Sequence, residues 1–145
     1  MGCRSDAEEK SSMLGNLSDP APKTVLVVED NELNLKLLND LLEYQGYTVI
    51  ATRLGEPALG LARQYKPDLI LMDIQLPDIS GMEATQRLKS DEQTRDIPVI
   101  AVTAFAMSGD EARILASGCN AYVSKPFNVA EFLQLVEHWT SETRS

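Results

Sequence analysis

The sequence alternates short apolar runs with longer amphipathic segments five times, and this alternation restricts the fold more than any other feature. The apolar runs are Thr24–Glu29, Tyr47–Thr52, Asp68–Asp73, Pro98–Thr103 and Ala121–Ser124. The first, third and fourth runs consist largely of Val, Ile, Leu and Met, which is typical of strands that are covered on both faces. The runs therefore predict five β-strands.

The segments between the runs have the apolar spacing of amphipathic helices. They are Asn31–Gln45, Glu56–Tyr65, Met82–Leu88, Asp110–Ala116 and Val129–Trp139. Gly46 and Gly118 follow the first and fourth segments, where a left-handed residue commonly ends a helix. Strands that alternate with helices form right-handed crossovers, so we predict an α/β fold with a parallel sheet and helices on both faces.

Length and charge narrow the class of protein. A chain of 145 residues suits one domain, and we place it at residues 23–140, between a polar flexible tail at 1–22 and a short tail at 141–145. The net charge of −9 disfavours nucleic-acid binding. No apolar run approaches the roughly 18 residues of a membrane span, and Cys3 and Cys119 form no metal or disulfide signature. We expect a cytoplasmic protein without membrane or nucleic-acid partners.

Polar residues end four of the five predicted strands. Glu29 and Asp30 end the first strand, Asp73 the third, Thr103 the fourth, and Lys125 follows the fifth. The carboxyl ends of parallel strands meet at one edge of the sheet, where ligands bind. Three carboxylates there would repel one another unless a cation binds, and oxygen ligands favour Mg²⁺ over zinc. A carboxylate beside a hard metal and a lysine suits phosphoryl transfer.

Each of these residues also has a simpler interpretation. Asp30 could be the cap of the first helix, Asp73 a turn residue and Thr103 an ordinary strand residue. Lys125 could be a solvated lysine in a loop. Their joint occurrence at the ends of neighbouring strands favours a functional site over separate coincidences.

Taken together, these residues resemble the receiver domain of two-component response regulators. The resemblance runs from about Lys23 to Trp139 and includes Asp73-x-x-x-Pro77-x-x-x-Gly81, Thr103-Ala104 and Lys125-Pro126. The stretch Thr103–Glu111 is similar to single-domain cell-cycle regulators of this family and to receivers of hybrid histidine kinases. The resemblance implies a flavodoxin-like, doubly wound fold with five helices and a five-stranded sheet in the order 2-1-3-4-5.

The resemblance also implies a role for each site residue. Asp73 would accept the phosphoryl group, with Thr103 and Lys125 contacting its oxygens. Mg²⁺ would be bound by Asp30, Asp73 and the backbone carbonyl of Gln75, and through water by Glu29. Thr103 and Tyr122 would act as the conformational switch, although Tyr122 could also be an ordinary core aromatic.

Protein partners are implied in the same way. The phosphodonor would be a histidine kinase or a histidine phosphotransfer protein, and a downstream protein would bind the face formed by the fourth helix, the fifth strand and the fifth helix of a monomer or weak dimer. Four residues are candidates for docking: Asn31, Leu35, Met107 and Phe127. The apolar stripe of the first predicted helix is centred near Leu37 and Leu41. Leu35 lies furthest from this stripe, so we expect it to be exposed.

The resemblance implies that two further positions bear on the lifetime of the phosphorylated state. Gln75 and Phe105 lie two residues after Asp73 and Thr103, and neither is an acid that could orient water for hydrolysis. We therefore expect slow autodephosphorylation and no turnover enzyme activity.

Several functions remain open at this stage. The main one is a single-domain regulator that signals by protein contact, and the others are a phosphorelay intermediate, a phosphate sink, or a receiver fragment of a hybrid kinase. A haloacid dehalogenase-like phosphatase is disfavoured, because it needs a second Asp at the position where this chain has Gln75. A flavodoxin is disfavoured because Glu29, Asp30 and Glu32 would repel the flavin phosphate.

Overall fold

A computed structural model of the chain describes residues 23–103, 110–125 and 128–142. The strands in these ranges are β1 (Thr24–Val28), β2 (Thr48–Thr52), β3 (Leu69–Asp73), β4 (Val99–Thr103) and β5 (Ala121–Ser124). The helices are α1 (Glu32–Tyr44), α2 (Ala58–Tyr65), α3 (Gly81–Ser90), α4 (Asp110–Ala116) and α5 (Val129–Glu142). All strand pairs are parallel and the order is β2-β1-β3-β4-β5, which confirms the predicted flavodoxin-like α/β fold.

Side chains that alternate along the central strands build two cores, one on each face of the sheet. On one face, Leu26 and Val28 of β1 pack with α2, α3 and α4, which contribute Ala58, Ala62, Ala84, Leu88 and Ile114. On the other face, Val25 and Val27 pack with α1 and α5, which contribute Leu38, Leu42, Phe132 and Val136. Burial on both faces explains why β1, β3 and β4 are apolar almost throughout.

Local signals set where α1 begins and ends. The side chain of Asn31 accepts a hydrogen bond from the Asn34 N–H at 3.0 Å and so caps the first turn. Gly46 follows the helix at φ +94°, a conformation that favours glycine. The cap is therefore Asn31 and not Asp30, which leaves the Asp30 carboxylate available for other contacts.

Side chains join neighbouring elements at the amino edge of the sheet, where the strands begin. The Thr24 N–H donates to Asp68 Oδ2 at 2.9 Å, and the Val99 N–H donates to Asn120 Oδ1 at 2.9 Å. The half-buried Lys89 ammonium donates to the same Asn120 oxygen at 3.0 Å and to two loop carbonyls. Burial lowers the pKa of Lys89, and these oxygen acceptors compensate for part of the water it has lost.

The observed elements differ from the predicted ones mainly at their ends. α3 starts at Gly81 and ends at Ser90, so it is longer than the predicted Met82–Leu88. Ser80 explains the earlier start, because its hydroxyl accepts a hydrogen bond from the Met82 N–H at 3.0 Å. α5 continues to Glu142, past the predicted end at Trp139.

Candidate functional site

The first carboxylates of the site follow directly from β1. The Glu29 N–H donates to the Thr52 carbonyl at 3.0 Å, which extends the β1–β2 ladder by one residue. The Glu29 side chain is buried, and its Oε2 accepts a hydrogen bond from the Asn31 N–H at 3.1 Å. The side chain of Asp30 is 46% exposed, so this second carboxylate faces solvent at the rim of the site.

Asp73 is the last residue of β3 and is also buried. Its Oδ1 accepts a hydrogen bond from the Gln75 N–H at 3.0 Å. Behind it, the start of α3 lies close to the backbone of β3, and the Gly81 N–H donates to the Ile74 carbonyl at 2.9 Å. A Cβ on Gly81 would lie only 2.1 Å from the Asp73 carbonyl oxygen, so glycine is needed there for this close approach.

Lys125 joins the two buried carboxylates. Its ammonium lies 3.1 Å from Glu29 Oε1 and 3.6 Å from Asp73 Oδ2, and it donates a hydrogen bond to Glu29 Oε2 at 3.4 Å. The Lys125 N–H donates to the Thr103 carbonyl at 2.7 Å, which continues the β4–β5 ladder and directs the lysine toward the site. Thr103 is buried at the end of β4.

The electrostatics of the site are dominated by buried negative charge. Burial raises the pKa of Glu29, and the neighbouring Asp73 carboxyl raises it further. The Asn31 N–H and the Lys125 ammonium act in the opposite direction but do not reverse the shift. One ammonium is therefore shared by two carboxylates, and the site retains excess negative charge.

A second cation lies at the rim of the site. Arg53 comes immediately after β2, and its Nε–H donates to the Asp30 carbonyl at 3.1 Å. Its guanidinium also lies 3.9 Å from Asp30 Oδ1 and 3.9 Å from Glu32 Oε2. Arg53 was not predicted from the sequence, because the candidate residues were those at the ends of the other four strands.

Another missed residue, Asp78, ties two loops of the site together. Its two carboxylate oxygens accept hydrogen bonds from the Gly55 N–H at 2.9 Å and the Glu56 N–H at 2.7 Å. These backbone contacts lower the pKa of Asp78, although burial acts in the opposite direction. The loop after β3, which carries Gln75, is thereby fixed to the loop after β2.

The donor atoms of the site suit Mg²⁺. Within the described ranges, no three carboxylate, histidine or cysteine side chains form a ready-made metal cage. Mg²⁺ does not require one, because it keeps several waters and uses one or two carboxylates. Glu29 Oε1 is buried with only the Lys125 ammonium, 3.1 Å away, as an ionic contact among the described residues, and Asp30 is open to solvent. An additional cation would satisfy this charge, so the residues fit the metal.

The helix α1 differs from the expectation at one candidate docking position. Leu38 and Leu42 are the buried residues, whereas Leu33 is 78% and Leu37 44% exposed. Leu35 is partly buried against the core, so the prediction that it is exposed was wrong. The physical reason is that Leu occurs around most of this helix, and packing on the sheet selects the face that is buried.

The remaining predicted residues fall into two groups. Tyr122 is partly buried beside the core formed with α2, α3 and α4, and Asn31 is exposed at the start of α1. Phe105, Met107 and Phe127 lie outside the described residues.

Comparison with known proteins identifies the family. The family model of the response regulator receiver domain matches residues 25–137. The chain belongs to this family. The polar-differentiation response regulator DivK of Brucella anthropi is 58% identical over 121 residues, which cover 83% of this receiver chain and 98% of that protein. DivK of Brucella ovis is 58% identical over 120 residues, with the same coverage of 83% and 98%.

Solved receiver structures agree with this assignment. The receiver domain of the sensor histidine kinase PA1611 from Pseudomonas aeruginosa superposes with a TM-score of 0.78 at 36% identity, covering 83% of this chain and 99% of that one. That crystal structure contains a magnesium ion in its active site cleft. A CheY-like receiver protein from Methanospirillum hungatei has a TM-score of 0.78 at 27% identity, covering 85% of this chain and 97% of that one.

No described helix of the present receiver is long and apolar enough to cross a membrane.

Proposed function

We propose that this receiver is a signalling switch in which Asp73 accepts a phosphoryl group in a Mg²⁺-dependent reaction. The observation that carries the proposal is the Lys125 ammonium between Glu29 and Asp73, at 3.1 and 3.6 Å from their oxygens. A lysine at this position neutralises the charge that a phosphoryl group would bring to Asp73. The family and its relatives support the same reaction.

The two oxygens of Asp73 have different surroundings, and this suggests which of them attacks. Oδ1 is held by the Gln75 N–H, whereas Oδ2 faces the Lys125 ammonium. In the proposed step, Oδ2 forms a bond to phosphorus while the bond from phosphorus to the donor breaks. The leaving group, a histidine nitrogen of the protein donor or the acetate of acetyl phosphate, keeps the electron pair of the broken bond, and the Lys125 ammonium remains beside the transferred group.

The other site residues have supporting roles in the proposal. Asp30, Asp73 and the Gln75 carbonyl would hold Mg²⁺, with Glu29 acting through water. When bound, the metal supplies positive charge next to the phosphoryl oxygens. The hydroxyl of Thr103 would donate to a phosphoryl oxygen, and Tyr122 would swing inward on activation. Such a charge-assisted hydrogen bond contributes about 1.5–3 kcal/mol to the switch.

The proposed phosphodonor is a histidine kinase or a histidine phosphotransfer protein, and the proposed target is another protein. Leu33 and Leu37 are exposed on α1, the helix that Asn31 caps, and offer an apolar contact for the donor. An amide chemical-shift map with a phosphotransfer protein checks this face. If shifts are absent from α1, the donor binds elsewhere.

Intact mass spectrometry tests the proposal directly. With Mg²⁺ and acetyl phosphate, the wild-type protein should gain one phosphoryl group, and Asp73→Asn should gain none because the attacking carboxylate is missing. Asp40→Asn is the matched control, since it makes the same change at a side chain that is 59% exposed on α1. Labelling of Asp73→Asn, or labelling of wild type in excess chelator, would contradict the proposal.

The lifetime of the phosphorylated state is a separate prediction. Gln75 is exposed beside Asp73 and is not an acid, so it cannot act as the base that activates water. After removal of acetyl phosphate, the phosphorylated form should persist for many minutes at neutral pH. Gln75→Glu should shorten its lifetime, and decay of the wild type within seconds would show that the prediction is wrong.

A further inference from the structure

Arg53 occupies a position from which it can oppose metal binding. It follows the last residue of β2, and the hydrogen bond from Glu29 to Thr52 holds this end of β2 beside the end of β1. The Arg53 Nε–H donates to the Asp30 carbonyl, and the guanidinium lies 3.9 Å from Asp30 Oδ1. The exposed carboxylate of Asp30 is therefore already next to a positive charge.

The two buried carboxylates do not share this cation. Glu29 and Asp73 pair with Lys125, whereas Asp30 has Arg53 as its partner and Glu32 competes for the same guanidinium at 3.9 Å. Lys125 therefore balances the negative charge of the two buried carboxylates, and Arg53 balances the negative charge of Asp30 at the rim.

We propose that Arg53 competes with Mg²⁺ for Asp30 and so weakens the affinity of the site for the metal. The proposal rests on the proposed function, because it assumes that Mg²⁺ binds at Asp30. A divalent cation must displace the guanidinium from Asp30 Oδ1, and it must also approach the remaining positive charge. Arg53 does not bind the metal itself and affects the affinity for Mg²⁺ only through its contact with Asp30.

The size of the effect follows from the exposure of the pair. The side chains of Arg53 and Asp30 are 54% and 46% exposed, and ion pairs in contact with water are weak. Removing the positive charge of Arg53 should therefore tighten Mg²⁺ binding by about two- to fivefold. The difference should shrink at high ionic strength, because salt screens charges at the surface.

Titration calorimetry with MgCl₂ on the full chain tests this prediction, and amide shifts of Asp30 and Gln75 confirm where the metal binds. Arg53→Gln should lower the dissociation constant for Mg²⁺. Arg63→Gln is the matched control, since it makes the same change in net charge at an arginine that pairs with Asp91 between α2 and α3. Arg63→Gln should leave the dissociation constant within twofold of wild type.

A third variant separates charge from geometry. Arg53→Lys keeps the charge but loses the fixed guanidinium, so its affinity for Mg²⁺ should stay close to that of wild type. If Arg53→Lys binds as tightly as Arg53→Gln, the hydrogen bond to the Asp30 carbonyl is responsible and competition is refuted. Equal affinities for wild type and Arg53→Gln also refute it. If wild type itself binds no Mg²⁺, the proposed metal site fails, which is a distinguishable result.

Discussion

Replacing Gly81 with alanine should lower the free energy of unfolding by about 2–3 kcal/mol or more, because the new methyl group has no space. Its Cβ would lie 2.1 Å from the Asp73 carbonyl oxygen and 2.7 Å from the Ile74 Cα. Both obstacles are backbone atoms, so no side chain can rotate away to relieve the clash. Either α3 or the end of β3 must move, and that movement displaces Asp73.

Urea denaturation measures this effect, and Gly60→Ala provides the matched control. Gly60 lies within α2, and a Cβ there would meet no atom within 4 Å. Alanine at position 60 should be neutral or stabilise by up to about 1 kcal/mol, because alanine is the better helix former. Labelling of Gly81→Ala by acetyl phosphate should also be slow. A Gly81→Ala protein as stable as wild type would mean that the approach of α3 to β3 is looser than described.

Replacing Lys125 with methionine should destabilise the protein by about 3 kcal/mol at neutral pH in the presence of chelator, because it removes the cation between two buried carboxylates. Methionine keeps much of the length of the lysine side chain and isolates the loss of charge. Phosphorylation of Asp73 should become much slower, since the charge that neutralises the phosphoryl group is gone.

The pH dependence gives this prediction a second test. The pKa of Glu29 is raised above 4.5 in the folded protein, so the folded state binds more protons than the unfolded chain in the window between 4.5 and the raised pKa. Stability therefore falls as pH rises through that window. Lys125 lowers the pKa of Glu29, so its removal should extend the window upward and make the destabilisation grow with pH.

Two comparisons complete the experiment on Lys125. Lys36→Met removes a lysine that is 75% exposed on α1, and it should change the free energy of unfolding by no more than about 0.5 kcal/mol. Mg²⁺ should restore part of the stability of Lys125→Met by balancing the same carboxylates. A destabilisation that is independent of pH would point to lost packing of the lysine stem instead.

The five strands and the residues gathered at the carboxyl edge could be predicted because they depend on simple rules, whereas the strand order was implied by the resemblance to receiver domains. Apolar runs give the strands, parallel pairing brings their ends together, and the residues at those ends become neighbours. Glu29, Asp73 and Lys125 meet for this reason. The roles of these three residues stay predictions, as do those of Asp30, Gln75, Thr103 and Tyr122.

Other features could not be read in this way, because they depend on three-dimensional packing. Leucine occurs at six positions between 33 and 42, so the periodicity of α1 did not identify Leu38 and Leu42 as the buried pair. The contact of Arg53 with Asp30 depends on how a long side chain folds over the rim. The sequence does contain a signal for Arg53, since it is the first residue after β2 at the same edge.

The hydrogen bonds at the amino edge have a practical consequence for protein engineering. Asp68, Lys89 and Asn120 join neighbouring elements at the end of the sheet opposite to the carboxylates. Substitutions that raise thermal stability can therefore be tried near these residues without altering the ionic surroundings of Asp73. A reporter can be fused near them for the same reason. A library restricted to that half would separate folding robustness from signalling in a way that changes at the carboxyl edge cannot.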